Sequence, residues 1–198
     1  MTYLEAAELD GPIFLIGCDP GPVCSAICLV SVVRGRALLL MAEYTCNKDL
    51  GNCVQPPAKR DDPVFLCYEA CGAQGAFVGE STFETAAMGG EIRRMFRPFV
   101  DGTYAFSPAD WRYLLCGQGN ARTPLIYAEC CKALGPGTGG GADPYRGTKS
   151  KPGQLAGLYA AGKGGNVEHL KDALGTALAL TRCAFRTGES PEKFRRPW

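Results

Sequence analysis

The stretch Ile13-Phe-Leu-Ile-Gly-Cys-Asp19-Pro-Gly21 decides how this chain is read. An uncharged apolar run ends in an aspartate, and Pro20-Gly21 stops it at once. A short apolar run closed by a turn signal predicts a fully buried strand. A carboxylate at the end of such a strand is costly unless something charged meets it. The pattern recurs at Val64-Phe-Leu-Cys-Tyr-Glu69. A third acid, Asp172, lies in the late helical segment His169-Leu-Lys-Asp172-Ala-Leu-Gly175. Three carboxylates converging on one point pull strongly on a divalent cation. Magnesium takes hard oxygen ligands and keeps several waters, so a few carboxylates plus a substrate phosphate suffice.

Working outward, residues 23–33 and 36–46 are apolar or β-branched and are separated by Arg34-Gly35, which predicts a hairpin after the first strand. Residues 47–62 read as a polar loop, and 63–69 as the fourth strand. Ser81 with Glu84 three residues on has the form of a capping box, opening a helix to about Phe96. Phe83, Ala86, Ala87, Gly90 and Met95 are its expected contact face. Residues 112–116 read as a short strand after a Ser107-Pro-Ala-Asp110 turn, and 122–134 as a helix. A glycine-dense basic stretch, about 135–165, is expected to be a flexible loop. The last helix is expected over 167–185, with a frayed tail at 186–198. Strands followed by alternating strand and helix predict an α/β fold, a mixed five-stranded sheet flanked by helices.

The 198 residues fit one domain and allow about 70% of the unfolded surface to be buried. Apolar residues are 46% and charged residues 21%, ordinary for a globular protein, and the net charge of +1 excludes a globally basic nucleic-acid coat but not a local basic patch. No run of about 20 apolar residues predicts a membrane span, and residues 1–12 lack the basic start of a signal peptide. The eleven cysteines, several inside apolar runs and without a C-x-x-C pair, read as free thiols of a reducing cytoplasm rather than a zinc site.

Phosphodiester hydrolysis by two metal ions needs bridging carboxylates, and Asp19 is the natural bridge with Glu69 and Asp172 beside it. His169, the chain's one histidine, precedes Asp172 by three residues and so shares its helix face. It is a candidate metal ligand or the group that orients the attacking water. Each residue alone has a plainer reading. Asp-Pro-Gly is a turn signature, a glutamate after a strand is usually a solvated loop residue, and Asp172 suits an amphipathic helix surface. Their joint order favours the site. Arg112 and Arg122 bracket a turn that leads into a helix N-terminus, a phosphate-binding arrangement. Arg146, Lys149, Lys151 and Lys163 in the long loop are candidate DNA-backbone contacts, against a solvated linker. Phe77 is a candidate base-stacking residue, against a loop anchor.

These segments, in this order, resemble the RuvC-like Holliday junction resolvases of the RNase H-like nuclease superfamily. The likeness runs most to their bacteriophage branch. Ile16-Gly-Cys-Asp19-Pro-Gly21 resembles the first strand and aspartate, Tyr68-Glu69 the fourth-strand glutamate, and His169-Leu-Lys-Asp172-Ala-Leu-Gly175 the final helix. Gly79–Thr85 with Gly90-Glu-Ile92, and Gly147–Gly153, resemble the phage branch's helix and basic loop. Leu115–Arg122 resembles a glycine-containing turn with its basic residue, although arginine here stands for the usual lysine. The resemblance covers most of residues 13–182. It implies an RNase H-like fold and a homodimeric endonuclease with two Mg2+ ions per active site, for which Mn2+ substitutes. Asp19, Glu69, His169 and Asp172 would be its catalytic and metal-binding residues. The implied substrate is branched DNA, namely four-way junctions, with forks and flaps as further candidates. The implied role is recombination or the resolution of phage DNA before packaging.

Two other readings compete. A nucleotide-binding protein of the actin and sugar-kinase type also opens with an Asp-x-Gly turn, but needs two such domains. A non-catalytic branched-DNA-binding protein of the same fold would have no use for three crowded acids.

Overall fold

The structure is a computed structural model, which describes residues 1–54, 62–71, 80–162, 165–187 and 190–196, the side chains of 184–187 excepted. A short helix α1 (Tyr3–Ala7) opens the chain, closed by a Thr2–Glu5 capping box. Then come strands β1 (Ile13–Asp19), β2 (Cys24–Val33) and β3 (Arg36–Cys46), a short helix α2 (Leu50–Cys53) and strand β4 (Val64–Glu69). Helix α3 (Glu80–Phe96), strand β5 (Gly102–Phe106) and helices α4 (Pro108–Cys116), α5 (Thr123–Leu134), α6 (Ala156–Ala161) and α7 (Val167–Thr187) follow.

Among the described residues the strands form one sheet in the order β3-β2-β1-β4-β5. β1, β2 and β3 are antiparallel neighbours, while β1, β4 and β5 run parallel. The α/β mixed five-stranded sheet expected from the sequence is therefore present. Its two faces are both covered, which is why β1 and β4 lack polar alternation and are buried at every position before their terminal acids. Leu15, Phe65 and Cys67 join the core beneath α4, α5, α6 and α7, and Phe14, Ile16 and Leu66 join the core with Leu50, Ile92 and Phe96.

The period of two fixes the direction of the acids. Ile13 and Leu15 face the α7 side of the sheet, so Asp19, at the same parity, does too; Phe65 and Cys67 do the same for Glu69. The parallel register pairs Cys18 with Tyr68, which leaves Asp19 and Glu69 side by side at the strand ends. Gly17 then lets α7 in. A Cβ at Gly17 would collide with the Ala173 carbonyl oxygen and come within 2.9 Å of Ala177 Cβ. The helix thus lies almost on the β1 backbone, and its next polar positions, His169 and Asp172, hang over the strand end.

Several sequence expectations are corrected. Residues 112–116 are not a strand but the second half of α4. Ser107 caps that helix, its Oγ accepting from the Asp110 N–H at 3.1 Å, and Pro108 occupies the first turn. The fifth strand is Gly102–Phe106, buried along its whole length. Helix α3 begins at Glu80, so Ser81 is inside its first turn and is not its cap. Its buried face is Gly89, Ile92 and Phe96, whereas Phe83, Ala86, Ala87 and Gly90 are exposed. The stretch expected as a structureless loop carries α6 and its own hydrogen bonds. Tyr145 Oη donates to the Gly135 carbonyl at 2.9 Å, and Tyr127 Oη to Asp143 at 2.8 Å. The tail is partly docked: Phe194 packs on Phe106 at 4.8 Å between ring centroids, and Arg195 bridges to Tyr104. Lys163 and Phe77 lie outside the described residues.

Candidate active site

Asp19 ends β1, Glu69 ends β4, and His169 and Asp172 stand on the first turns of α7. Each carboxylate is held by a different neighbour. Asp19 Oδ2 is 2.8 Å from His169 Nδ1. Glu69 Oε2 accepts a 2.7 Å hydrogen bond from Trp111 Nε1. Asp172 Oδ2 is 3.6 Å from Arg112 Nη2. The His169 ring in turn stacks on Tyr44, with centroids 5.7 Å apart, and the Arg112 guanidinium lies 5.0 Å from the Trp111 ring centroid.

The three acids feel one another. Burial pushes Glu69 up to about 7, with the charges of Asp19 and Asp172 adding to the rise and Trp111 and Arg112 opposing it. Burial likewise pushes Asp172 to about 6, with Asp19 adding and Arg112 and His169 opposing. Asp19 is raised by burial against the pull of His169 and Arg112. Crowded carboxylates that resist ionisation are the electrostatic counterpart of a missing positive charge.

The donor chemistry suits a hard divalent cation, since three carboxylates supply oxygen ligands where β1 and β4 end beside the start of α7. Among the described residues, however, no three His, Cys, Asp or Glu side chains are gathered into a set that could hold a metal ion as placed. The reason is visible in the partners: His169, Trp111 and Arg112 each draw one carboxylate in its own direction.

No protein-family model matches the chain, and no curated protein matches it. Solved structures do match it, among them two of RuvC. Thermus thermophilus RuvC matches with a TM-score of 0.57 at 20% identity, over 94% of this chain and 100% of that one. T. thermophilus RuvC in complex with Holliday junction substrate matches with a TM-score of 0.57 at 18% identity, over 89% of this chain and 96% of that one. The fold is RuvC-like.

Within this RuvC-like fold the basic residues fall into two groups. Arg112 is half-buried beside Asp172, as a counter-charge inside the site. Arg122 precedes α5 and is exposed, and with Arg112, Asn120 and Thr123 it lines a cleft that reaches Asp172. Arg146, Lys149 and Lys151 are exposed on the long loop, Arg146 lying 5.0 Å over the Tyr159 ring centroid. Sequence reasoning missed Trp111 and Tyr44. Trp111 was legible in principle: Ser107-Pro-Ala-Asp110 has the cap-and-acid spacing of a helix start, and Trp111, Leu114 and Leu115 follow at helical spacing. Tyr44 carried no local signal, because its partner comes from 125 residues further along the chain.

Proposed function

We propose that this protein is a metal-dependent endodeoxyribonuclease that cuts Holliday junctions and other branched DNA. The observation that carries the reading is the meeting of Asp19, Glu69, His169 and Asp172 where β1 and β4 end beside the start of α7 in a RuvC-like fold. A relative of that fold is solved with a Holliday junction bound. Asp19, Glu69 and Asp172 are the residues that would hold magnesium, or manganese in its place. Two such ions, when bound, would supply positive charge to the scissile phosphate and to the attacking water. Asp19 acts by its charge on both of the other acids. Its bond to His169 Nδ1 orients the ring, leaving Nε2 as the atom that takes or holds a proton. Arg112 balances Asp172 and lines the cleft beside it. Arg122, Arg146, Lys149 and Lys151 grip the DNA backbone, with Lys163 and Phe77 as further sequence candidates; such contacts favour branch shape and charge over base sequence. A homodimer would match the two-fold symmetry of a junction. A role in clearing branches from phage DNA before packaging rests on the sequence resemblance.

The test is cleavage of a labelled four-way junction beside a linear duplex of the same sequence, with magnesium and with EDTA. Paired nicks near the branch, dependent on metal and absent on the duplex, are expected. Intact binding without cleavage in magnesium or manganese would instead establish a non-catalytic branched-DNA-binding protein.

A further inference from the structure

The outer end of the β2–β3 hairpin carries two cysteines that the proposed reaction does not use. Cys24 opens β2, Cys46 closes β3, and the two are direct partners in the register. One position further out, the Asn47 N–H donates to the Val23 carbonyl at 3.0 Å. Val23 and Asn47 are therefore a hydrogen-bonded pair, so Cys24 and Cys46 form a non-hydrogen-bonded pair, where facing side chains approach most closely. Their Sγ atoms are 3.6 Å apart. The Cα separation of such a pair, about 4.5 Å, lies within the roughly 4.4–6.8 Å that a disulfide accepts.

Access separates this pair from most of the other thiols. None of the eleven cysteines is in a disulfide, and seven are buried: Cys18, Cys28, Cys67, Cys116, Cys130, Cys131 and Cys183. Cys46 is exposed and Cys24 is partly so. The pair also adjoins a second cleft at the candidate active site, which Cys24 lines together with Asp19, Tyr44 and His169. The residue after each cysteine is bonded to the turn that follows Asp19. Ser25 Oγ accepts from the Gly21 N–H at 3.3 Å and donates to Asn47 Oδ1 at 2.7 Å. Asn47 Nδ2 donates to the Gly21 carbonyl at 2.9 Å.

We propose that Cys24 and Cys46 are a reversible dithiol–disulfide site on the rim of the active-site cleft, oxidised by low-molecular-weight disulfides. The exposed Cys46 thiolate attacks one sulfur of the external disulfide and releases the first thiol. The Cys24 thiolate then attacks the Cys46 sulfur of the mixed disulfide and releases the second. One protein disulfide forms, one external disulfide is reduced to two thiols, and the two protons lost by the cysteines end on the released thiols.

The test equilibrates the full chain with mixtures of reduced and oxidised glutathione, quenches with acid, blocks free thiols and digests with trypsin. Arg34 and Arg36 lie between the two cysteines, so a bridge links peptide 1–34 to peptide 37–48, in which Cys46 is the sole cysteine. Fragmentation of the linked peptide is expected to place the bond on Cys24, and Cys46→Ser is expected to leave glutathione attached to Cys24. Glutathione accumulating on either residue of the unaltered protein without a link would overturn the proposal, as would Cys46 bridged to any other cysteine. Phenylarsine oxide, which binds two facing thiols through one arsenic, gives a reading that needs no variant. Stoichiometric binding that blocks the glutathione-driven link is expected, and failure to block it counts against the site.

Discussion

At the residue scale, the site turns on how each carboxylate is held. Asp19→Asn keeps the size and the approach to His169 while removing the charge. Junction cleavage is expected to disappear and junction binding to persist; loss of both would argue against a purely catalytic role. Trp111 makes a subtler contribution. It is fully buried, and its indole N–H is the hydrogen-bond donor to Glu69. A donor to the charged form opposes the burial that pushes Glu69 up to about 7. Trp111→Phe retains the ring packing and removes the donor, so Glu69 should become harder to ionise. Partners behind a metal ligand typically contribute about 10–100-fold to metal affinity or activity. The magnesium concentration for half-maximal cleavage is therefore expected to rise by about tenfold or more at pH 7, with less effect at higher pH. An unchanged metal titration would make Trp111 a packing residue only.

At the scale of elements, the decisive contact is α7 on β1. Gly17 has no side chain because the Ala173 carbonyl occupies the space a Cβ would need, and Gly175 leaves room for the Trp111 ring in the same way. Gly17→Ala must therefore lift the helix or shift the strand. Such overpacking costs about 1–3 kcal/mol. The expected result is a lower denaturation midpoint in urea together with weakened cleavage, because His169 and Asp172 move with the helix. Gly35→Ala, which meets nothing within 4 Å but has φ of +76°, tests backbone strain without touching this contact and should leave cleavage unchanged. β1, β2, β3, β4, α5 and α7 were legible because each has a clear apolar period or turn signal at its ends. The strand Gly102–Phe106 was not, since five residues buried on both faces show no alternation. The error on 112–116 came from reading Ser107-Pro-Ala-Asp110 as a turn, although a helix N-cap uses the same residues for the same reason, a side-chain oxygen facing free N–H groups. Of the candidate site, the placement of Asp19 and Glu69 at strand ends and of His169 and Asp172 on one helix was readable from apolar runs and helix spacing. Trp111 was legible as a residue of a helix but not as the donor to Glu69, and Tyr44 was not legible at all, because both contacts join distant segments.

At the scale of the whole molecule, the gathered acids place a pH-dependent strain on the metal-free fold. Glu69 is pushed up to about 7, Asp172 to about 6, and Asp19 is raised as well, each first by burial. A group whose folded pKa exceeds its unfolded one contributes stability that is present in full below the unfolded value and lost as pH rises through the folded value. These three groups should therefore destabilise the metal-free protein progressively between about pH 4.5 and 7.5. Glu5, Asp143 and Glu168 are lowered instead, so their stabilisation is lost only as pH falls below the ordinary carboxylate range, outside this window. In EDTA, the melting temperature is expected to fall from pH 5 to pH 7.5. A bound cation reverses the sign, because it favours the ionised carboxylates and competes with protons for them. Magnesium or manganese should then raise the melting temperature more at pH 7.5 than at pH 5, and Asp19→Asn combined with Glu69→Gln should flatten both trends. Thermal melts in EDTA and in saturating metal across that range measure this directly. A metal-free melting temperature that climbs toward pH 7.5 would mean the three carboxylates are not coupled as their placement requires.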